Sequence, residues 1–251
     1  MTAAKATNSN RVALVTGASR NIGRAIALAL AKTGTNVVVH AAQAQAEAAE
    51  TLKQLESYGV KGMLTLGDLS DPDIATRIMS EIIAHFGRLD ILVNNAAIRP
   101  ETPIADISYT EWRKVMGVCL DAVFLMSQAA MKPLGQSEQG SIINIGGLTA
   151  HTGASNRAHV ISAKAGVVGF TKALACELSP EGITVNCIAP GLIDTVRDDK
   201  NKPHHHATRT NLLGRRGQPE EIAEAVVFLA GPSARYITGQ TIHINGGAYL
   251  P

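Results

Sequence analysis

The sequence predicts an α/β fold: one domain built on a doubly wound, seven-stranded parallel sheet flanked by helices. Three observations carry that reading. Short, nearly continuous apolar runs recur along the chain, as parallel strands covered on both faces require. Longer stretches of helical periodicity separate them, and such alternation implies right-handed crossovers. The first run also ends in a glycine-containing turn that opens directly into a helix.

In chain order, the first strand is expected at Val12–Thr16 and is followed by a helix over 22–33. Asn36–His40 and a helix over 42–57 form the next pair, then Gly62–Leu66 and a helix over 72–86. Asp71-Pro72 supplies that helix with a capping carboxylate and a proline suited to its first turn. Leu89–Val93 precedes a long helix over 109–132, and Ser141–Ile145 precedes another over 155–178. Ile183–Ile188, a helix over 219–230 opened by Gln218-Pro219-Glu220-Glu221, and Thr241–Ile244 complete the pattern. Residues 1–10 read as a disordered tail and 11–251 as the single domain, with 196–217 either a substrate lid or a plain surface loop.

Composition sets the class. With 45% hydrophobic and 18% charged residues among 251, the chain is globular. A net charge of +2 is too balanced to suggest a nucleic-acid or membrane-surface protein. The polar start MTAAKATNSN lacks a signal-peptide core, and no apolar run approaches the roughly 18 residues of a membrane span. Cys119, Cys176 and Cys187 match no metal spacing and read as buried reduced thiols, so a cytoplasmic location is expected.

Function is expected at the turn within RVALVTGASRNIGRAIALALA (11–31). Gly17 and Gly23 let the backbone bend and approach a ligand, and the helix N-terminus offers free N–H groups to a pyrophosphate. The second strand ends in His40-Ala41-Ala42, without the acidic residue that commonly holds a ribose 2′-hydroxyl. Arg20 is positioned to pair with a 2′-phosphate, which favours NADP(H) over NAD(H).

Several segments resemble the short-chain dehydrogenase/reductase family, colinear over about 11–247. TGASRNIG (16–23) is similar to its glycine motif, with Asn21 for the middle glycine. GDLSD (67–71), NNAA (94–97), APGLIDT (189–195) and the C-terminal GQPEEIAEAVVFLAGPSARYITGQTIHINGG (217–247) follow in order. The resemblance implies a Rossmann-like fold and cofactor contacts at Gly17, Ser19, Arg20, Asn21, Ile22, Gly23, Asp68, Leu69, Asn95, Lys164, Pro190, Gly191, Ile193 and Thr195. It also implies assembly as a homotetramer or homodimer, through the helices at 109–132 and 155–178.

The family's catalytic set is Asn, Ser, Tyr and Lys. Placed by resemblance, those positions hold Cys119, Gly147, Val160 and Lys164, so only the lysine remains. His159 and His151 are candidate replacement acids, since imidazole titrates near neutrality. Neighbouring helical residues nevertheless point about 100° apart, which turns His159 away from the position of Val160. Arg157, two turns before Lys164, reads as either a surface ion pair or a ligand for a substrate carboxylate. The run His204-His205-His206 lacks the converging spacing of a metal site, and no metal is expected.

The expected activity is NADP(H)-dependent oxidoreduction of a small carbonyl, imine or conjugated substrate through a non-standard proton-transfer site. A non-catalytic cofactor-binding regulator or scaffold, and a non-redox lyase or isomerase, stand beside it as alternatives.

Overall fold

The computed structural model describes residues 10–196 and 211–251. The histidine run at 204–206, most of the expected lid and residues 1–9 lie outside the described residues.

Seven parallel strands form one sheet in the order β3-β2-β1-β4-β5-β6-β7. They are β1 (Val12–Val15), β2 (Asn36–Ala41), β3 (Gly62–Leu66), β4 (Ile91–Asn94), β5 (Ser141–Ile145), β6 (Thr184–Pro190) and β7 (Thr241–Ile244). The helices are α1 (Asn21–Lys32), α2 (Gln45–Glu56), α3 (Pro72–Phe86), α4 (Tyr109–Met116), α5 (Ala122–Gly135), α6 (Thr149–Thr152), α7 (Ala158–Leu178) and α8 (Pro219–Ala230). This is a Rossmann-like α/β domain, as the alternating pattern predicts.

Strand alternation divides the core into two layers. Ala13, Val15, Val37 and Val39 face α1 and α8, where Ile26, Leu30, Ile222 and Val226 pack against them. Val12, Leu14 and Val38 face the other way, onto Ile78 and Ile82 of α3, Met126 of α5 and Leu174 of α7. Each layer is closed by helix faces whose apolar residues recur every three to four positions.

Several expectations are adjusted. Leu89 is fully buried, but the ladder to β1 begins later, pairing Ala13 with Ile91. β6 runs on to Pro190, which needs no N–H there, while its carbonyl accepts from the Leu148 N–H at 3.0 Å. The helix expected over 155–178 begins only at Ala158, because Asn156 adopts φ 61° just before it. The helix expected over 109–132 is α4 and α5 joined by a π turn at Gly117–Asp121. That stretch, Tyr109–Gly135, is long and apolar enough to cross a membrane, contrary to the reading of the sequence. Its packing against α3 and α7 makes it a core helix.

Chain order reverses between β1 and β4: β2 and β3 lie to one side, β5 to β7 to the other. Beyond the carboxyl ends of those two strands the crossovers diverge and leave a crevice. At the opposite end of the sheet, Asp90 closes the structure. Its carboxylate accepts from the Val12 N–H at 2.8 Å, from Arg88 at 2.7 and 2.9 Å, and from the Ser137 hydroxyl at 2.5 Å.

Candidate active site

The crevice begins at the glycine turn. Gly17 sits at φ 63°, and a Cβ there would fall 2.9 Å from the Ala96 Cα. A Cβ on Gly23 would lie 2.1 Å from the Gly17 carbonyl oxygen, so only glycine lets α1 start this close to β1. Asn95, just past β4, ties the two strand ends together: its Nδ2 donates to the Thr16 and Gly17 carbonyls at 2.9 and 3.0 Å. From the other side, the Gly17 N–H donates to Nδ1 of His40 at 3.3 Å. Nε2 of that ring must then donate to the Gly67 carbonyl, 3.0 Å away. Burial holds His40 neutral, with its pKa lowered to about 4. His40 is thus a brace for the turn, a role the sequence did not announce.

A groove runs along this turn, lined by Gly17, Ser19, Arg20, Asn21, Ile22 and Gly23 and by Ala41, Ala42 and Gln43 beyond β2. No side chain caps α1, so its first-turn N–H groups are available to a ligand. The Arg20 guanidinium is exposed and has no hydrogen-bond or ion-pair partner among the described residues. The carboxylates bordering the groove among those residues are Glu47 on α2 and Glu111 on α4, not a residue at the end of β2. The residues present therefore suit a phosphorylated dinucleotide. Asp68 and Leu69 do not border this groove: Asp68 accepts from the Ser70 N–H and hydroxyl, and Leu69 is buried in the core.

The groove continues into a cleft between the ends of β4, β5 and β6. Asn95, Ile145, Gly147, Thr149, Arg157, Val160, Lys164, Pro190, Gly191, Ile193 and Thr195 line it. Lys164, on α7, is buried and donates from Nζ to the Ile145 carbonyl at 2.5 Å. Burial lowers its pKa from the usual lysine value; Arg99 acts in the same direction and the sulfurs of Cys119 and Cys187 oppose. One turn earlier, Val160 packs with Val115, Cys119 and Ala163 and presents only hydrocarbon to the cleft. Cys119 occupies the π turn and donates its thiol to the Ile98 carbonyl at 3.2 Å. A Cβ at Gly147 would meet nothing within 4 Å, so the cleft is open there.

The two histidines take other positions. His159 is fully buried, with Nε2 3.1 Å from Glu111, and is not among the residues lining the cleft. Glu111 also accepts from the Thr102 hydroxyl, and this bond, then His159, lowers its pKa. His151, on α6, packs its ring 4.5 Å from that of His243 and 5.5 Å from Tyr249, away from the cleft lining. Arg157, read as either a surface ion pair or an anion ligand, is 5% exposed and faces the cleft. Cys176 is exposed rather than buried, and the three thiols are unpaired.

Among the polar residues of the cleft, Arg99 and Thr149 were not singled out by the reading of the sequence. Arg99 lies five positions past β4 and borders both groove and cleft; Thr149 opens α6. Both stand in aperiodic segments. The one available signal was their place just beyond the carboxyl ends of strands, where such sheets hold ligands.

The chain has counterparts among known proteins. Residues 17–249 match the family model described as enoyl-(acyl carrier protein) reductase. The chain is 41% identical over 245 residues to the 3-oxoacyl-(acyl-carrier-protein) reductase FabG of Vibrio cholerae, spanning 96% of this chain and 98% of that one. Among solved structures, a short chain dehydrogenase from Burkholderia cenocepacia in complex with NADP superposes with a TM-score of 0.91 at 33% identity, covering 96% of this chain and 99% of that one. Acetoin dehydrogenase YohF from Salmonella typhimurium gives a TM-score of 0.87 at 33% identity, covering 95% of each chain.

Proposed function

Because the chain belongs to the short-chain dehydrogenase/reductase family, we propose that it is an NADP(H)-dependent oxidoreductase acting on a small carbonyl, imine or conjugated substrate, with a proton route that bypasses the usual tyrosine. The observation that carries this reading is Lys164, buried at the cleft one turn from a valine.

When bound, NADP(H) supplies the hydride. The chain's own residues do the rest. Gly17, Gly23 and the start of α1 form the cradle for pyrophosphate, and Arg20 is placed to meet a 2′-phosphate. Pro190, Gly191, Ile193 and Thr195 line the cleft where they would wall the nicotinamide, and Lys164 would hold the ribose.

By the resemblance to the family pattern, Cys119, Gly147 and Val160 stand where the asparagine, serine and tyrosine are expected. No hydroxyl occupies the tyrosine position, so charge developing on the substrate is met by the cationic side chains of the cleft, and the proton comes from water. Such a site suits an electrophile already activated by its own substituents. His159 has its Nε2 engaged with Glu111 and its ring outside the cleft lining, which argues against a direct role. The same reading includes a homotetramer or homodimer, by the resemblance to the family. Gel filtration at monomer size would contradict that assembly.

The test is a panel of carbonyls, imines and enones incubated with purified protein and NADPH, with cofactor absorbance followed. Turnover that disappears in Lys164→Ala supports the proposal. Tight cofactor binding with no turnover on any substrate would point to a regulator, and conversion without cofactor consumption to a non-redox enzyme.

A further inference from the structure

Among the described residues, the charge that lines the cleft is of one sign. Among the described residues that line it, three are cationic (Arg99, Arg157 and Lys164) and none is a carboxylate. Lys164 is committed to the Ile145 carbonyl. Arg157 is held almost entirely within the protein at the start of α7. Arg99 differs from both: it is exposed, borders the groove as well as the cleft, and has no hydrogen-bond or ion-pair partner among the described residues.

Like charges that line one cleft repel one another. An anion seated between them would relieve that repulsion and accept charge-assisted hydrogen bonds. The surrounding surface is apolar (Ala97, Leu148, Val160 and Leu192), with the Thr149 hydroxyl at one side. A planar guanidinium above such a surface matches a carboxylate on a short carbon skeleton better than a neutral carbonyl compound.

We infer that Arg99, reinforced by Arg157, is the receptor for a carboxylate on the substrate, so that the substrate class is an oxo-carboxylate. This rests on the reductase reading and narrows it. It also gives the missing tyrosine a physical context, since a cationic cleft wall stabilises negative charge on the reacting oxygen without itself donating a proton.

The groove and the cleft are continuous at Arg99, so the same guanidinium chemistry has a second potential source of anion in the cofactor's phosphates. Calorimetry separates the two. NADP+ is titrated first into wild type, Arg99→Gln and Arg99→Lys. Pyruvate, levulinate and phenylglyoxylate, each beside its methyl ester, are then titrated into the cofactor-free and NADP+-loaded proteins. The expected result is that at least one acid binds the loaded wild type roughly 10- to 100-fold more tightly than its ester. Arg99→Gln should erase that preference while leaving NADP+ affinity within about twofold, and Arg99→Lys should restore part of it. Equal binding of acids and esters would overturn the inference. So would an Arg99→Gln variant that loses NADP+ affinity but keeps the acid preference, which would assign the guanidinium to the cofactor. Failure of wild type to bind NADP+ at all refutes the reductase reading instead, and the cofactor-free titrations then report on the anion receptor by themselves.

Discussion

Asn21 and Val196, 175 positions apart, hold one another by a reciprocal pair of hydrogen bonds. Asn21 Nδ2 donates to the Val196 carbonyl at 3.1 Å, and the Val196 N–H donates to Asn21 Oδ1 at 2.9 Å. Asn21 stands at φ 52°, a left-handed conformation that asparagine tolerates better than other residues with a Cβ. The turn thus keeps the backbone geometry a glycine would provide and gains a side chain that reaches the segment beyond β6.

Asn21→Gly should preserve the turn and lose the clasp. Two hydrogen bonds at partly exposed positions correspond to a roughly five- to thirtyfold faster release of NADPH, read by stopped-flow fluorescence. An unchanged release rate would show that the clasp does not restrain the cofactor.

Gly147→Ser combined with Val160→Tyr rebuilds the hydroxyl pair of the family pattern. A serine Cβ at 147 enters open space, whereas a tyrosine at 160 must extend from a packed cluster into the cleft. The pair should cost about 1–3 kcal/mol of stability by overpacking and should confer reduction of unactivated ketones that wild type lacks. Absence of any new ketone activity in a folded, cofactor-binding double variant would show that other walls exclude such substrates.

His40 makes stability depend on acidity. Its folded pKa of about 4 lies below the ordinary 6.5, so the unfolded chain binds the extra proton first as pH falls. The full contribution is present above pH 6.5 and is lost progressively down to about 4, amounting to about 3 kcal/mol. Thermal melts across that window should fall more steeply for wild type than for His40→Gln. Parallel slopes would mean that the ring is not held neutral.

Asp90 gives a contrast far from the chemistry. Burial raises its pKa, but the bonds from Arg88, Ser137 and Val12 outweigh this and hold it below the ordinary carboxylate value. Its contribution is therefore present above the unfolded carboxylate range and lost as pH drops through it. Asp90→Ala strands these donors and should cost about 3–5 kcal/mol in urea unfolding, with cofactor affinity of the folded protein unchanged. A loss below 1 kcal/mol would show that water replaces the carboxylate.

Local patterning made most of the sheet readable: Gly62–Leu66, Ser141–Ile145 and Thr241–Ile244 have the expected bounds because turn-forming or polar residues end each apolar run. The π turn at Gly117–Asp121 was invisible, since one widened turn leaves composition and apolar spacing almost unchanged. The glycine turn was legible because its residues are chemically restricted there; a Cβ at Gly23 has nowhere to go. Arg99 and His40 were not legible as parts of the site. Their roles depend on partners such as Arg157 and Gly17 that only the folded chain brings near, and no local period encodes that approach.

The cleft joins Asn95 after β4, Gly147 after β5, Lys164 on α7 and Pro190 at the end of β6, segments that meet only when the second half of the sheet has been laid against the first. Loop-closure entropy makes such distant pairings slow to form. Dinucleotide capture during refolding should accordingly lag behind recovery of helical circular dichroism, and a fragment ending before Pro190 should recover helix without acquiring the ligand.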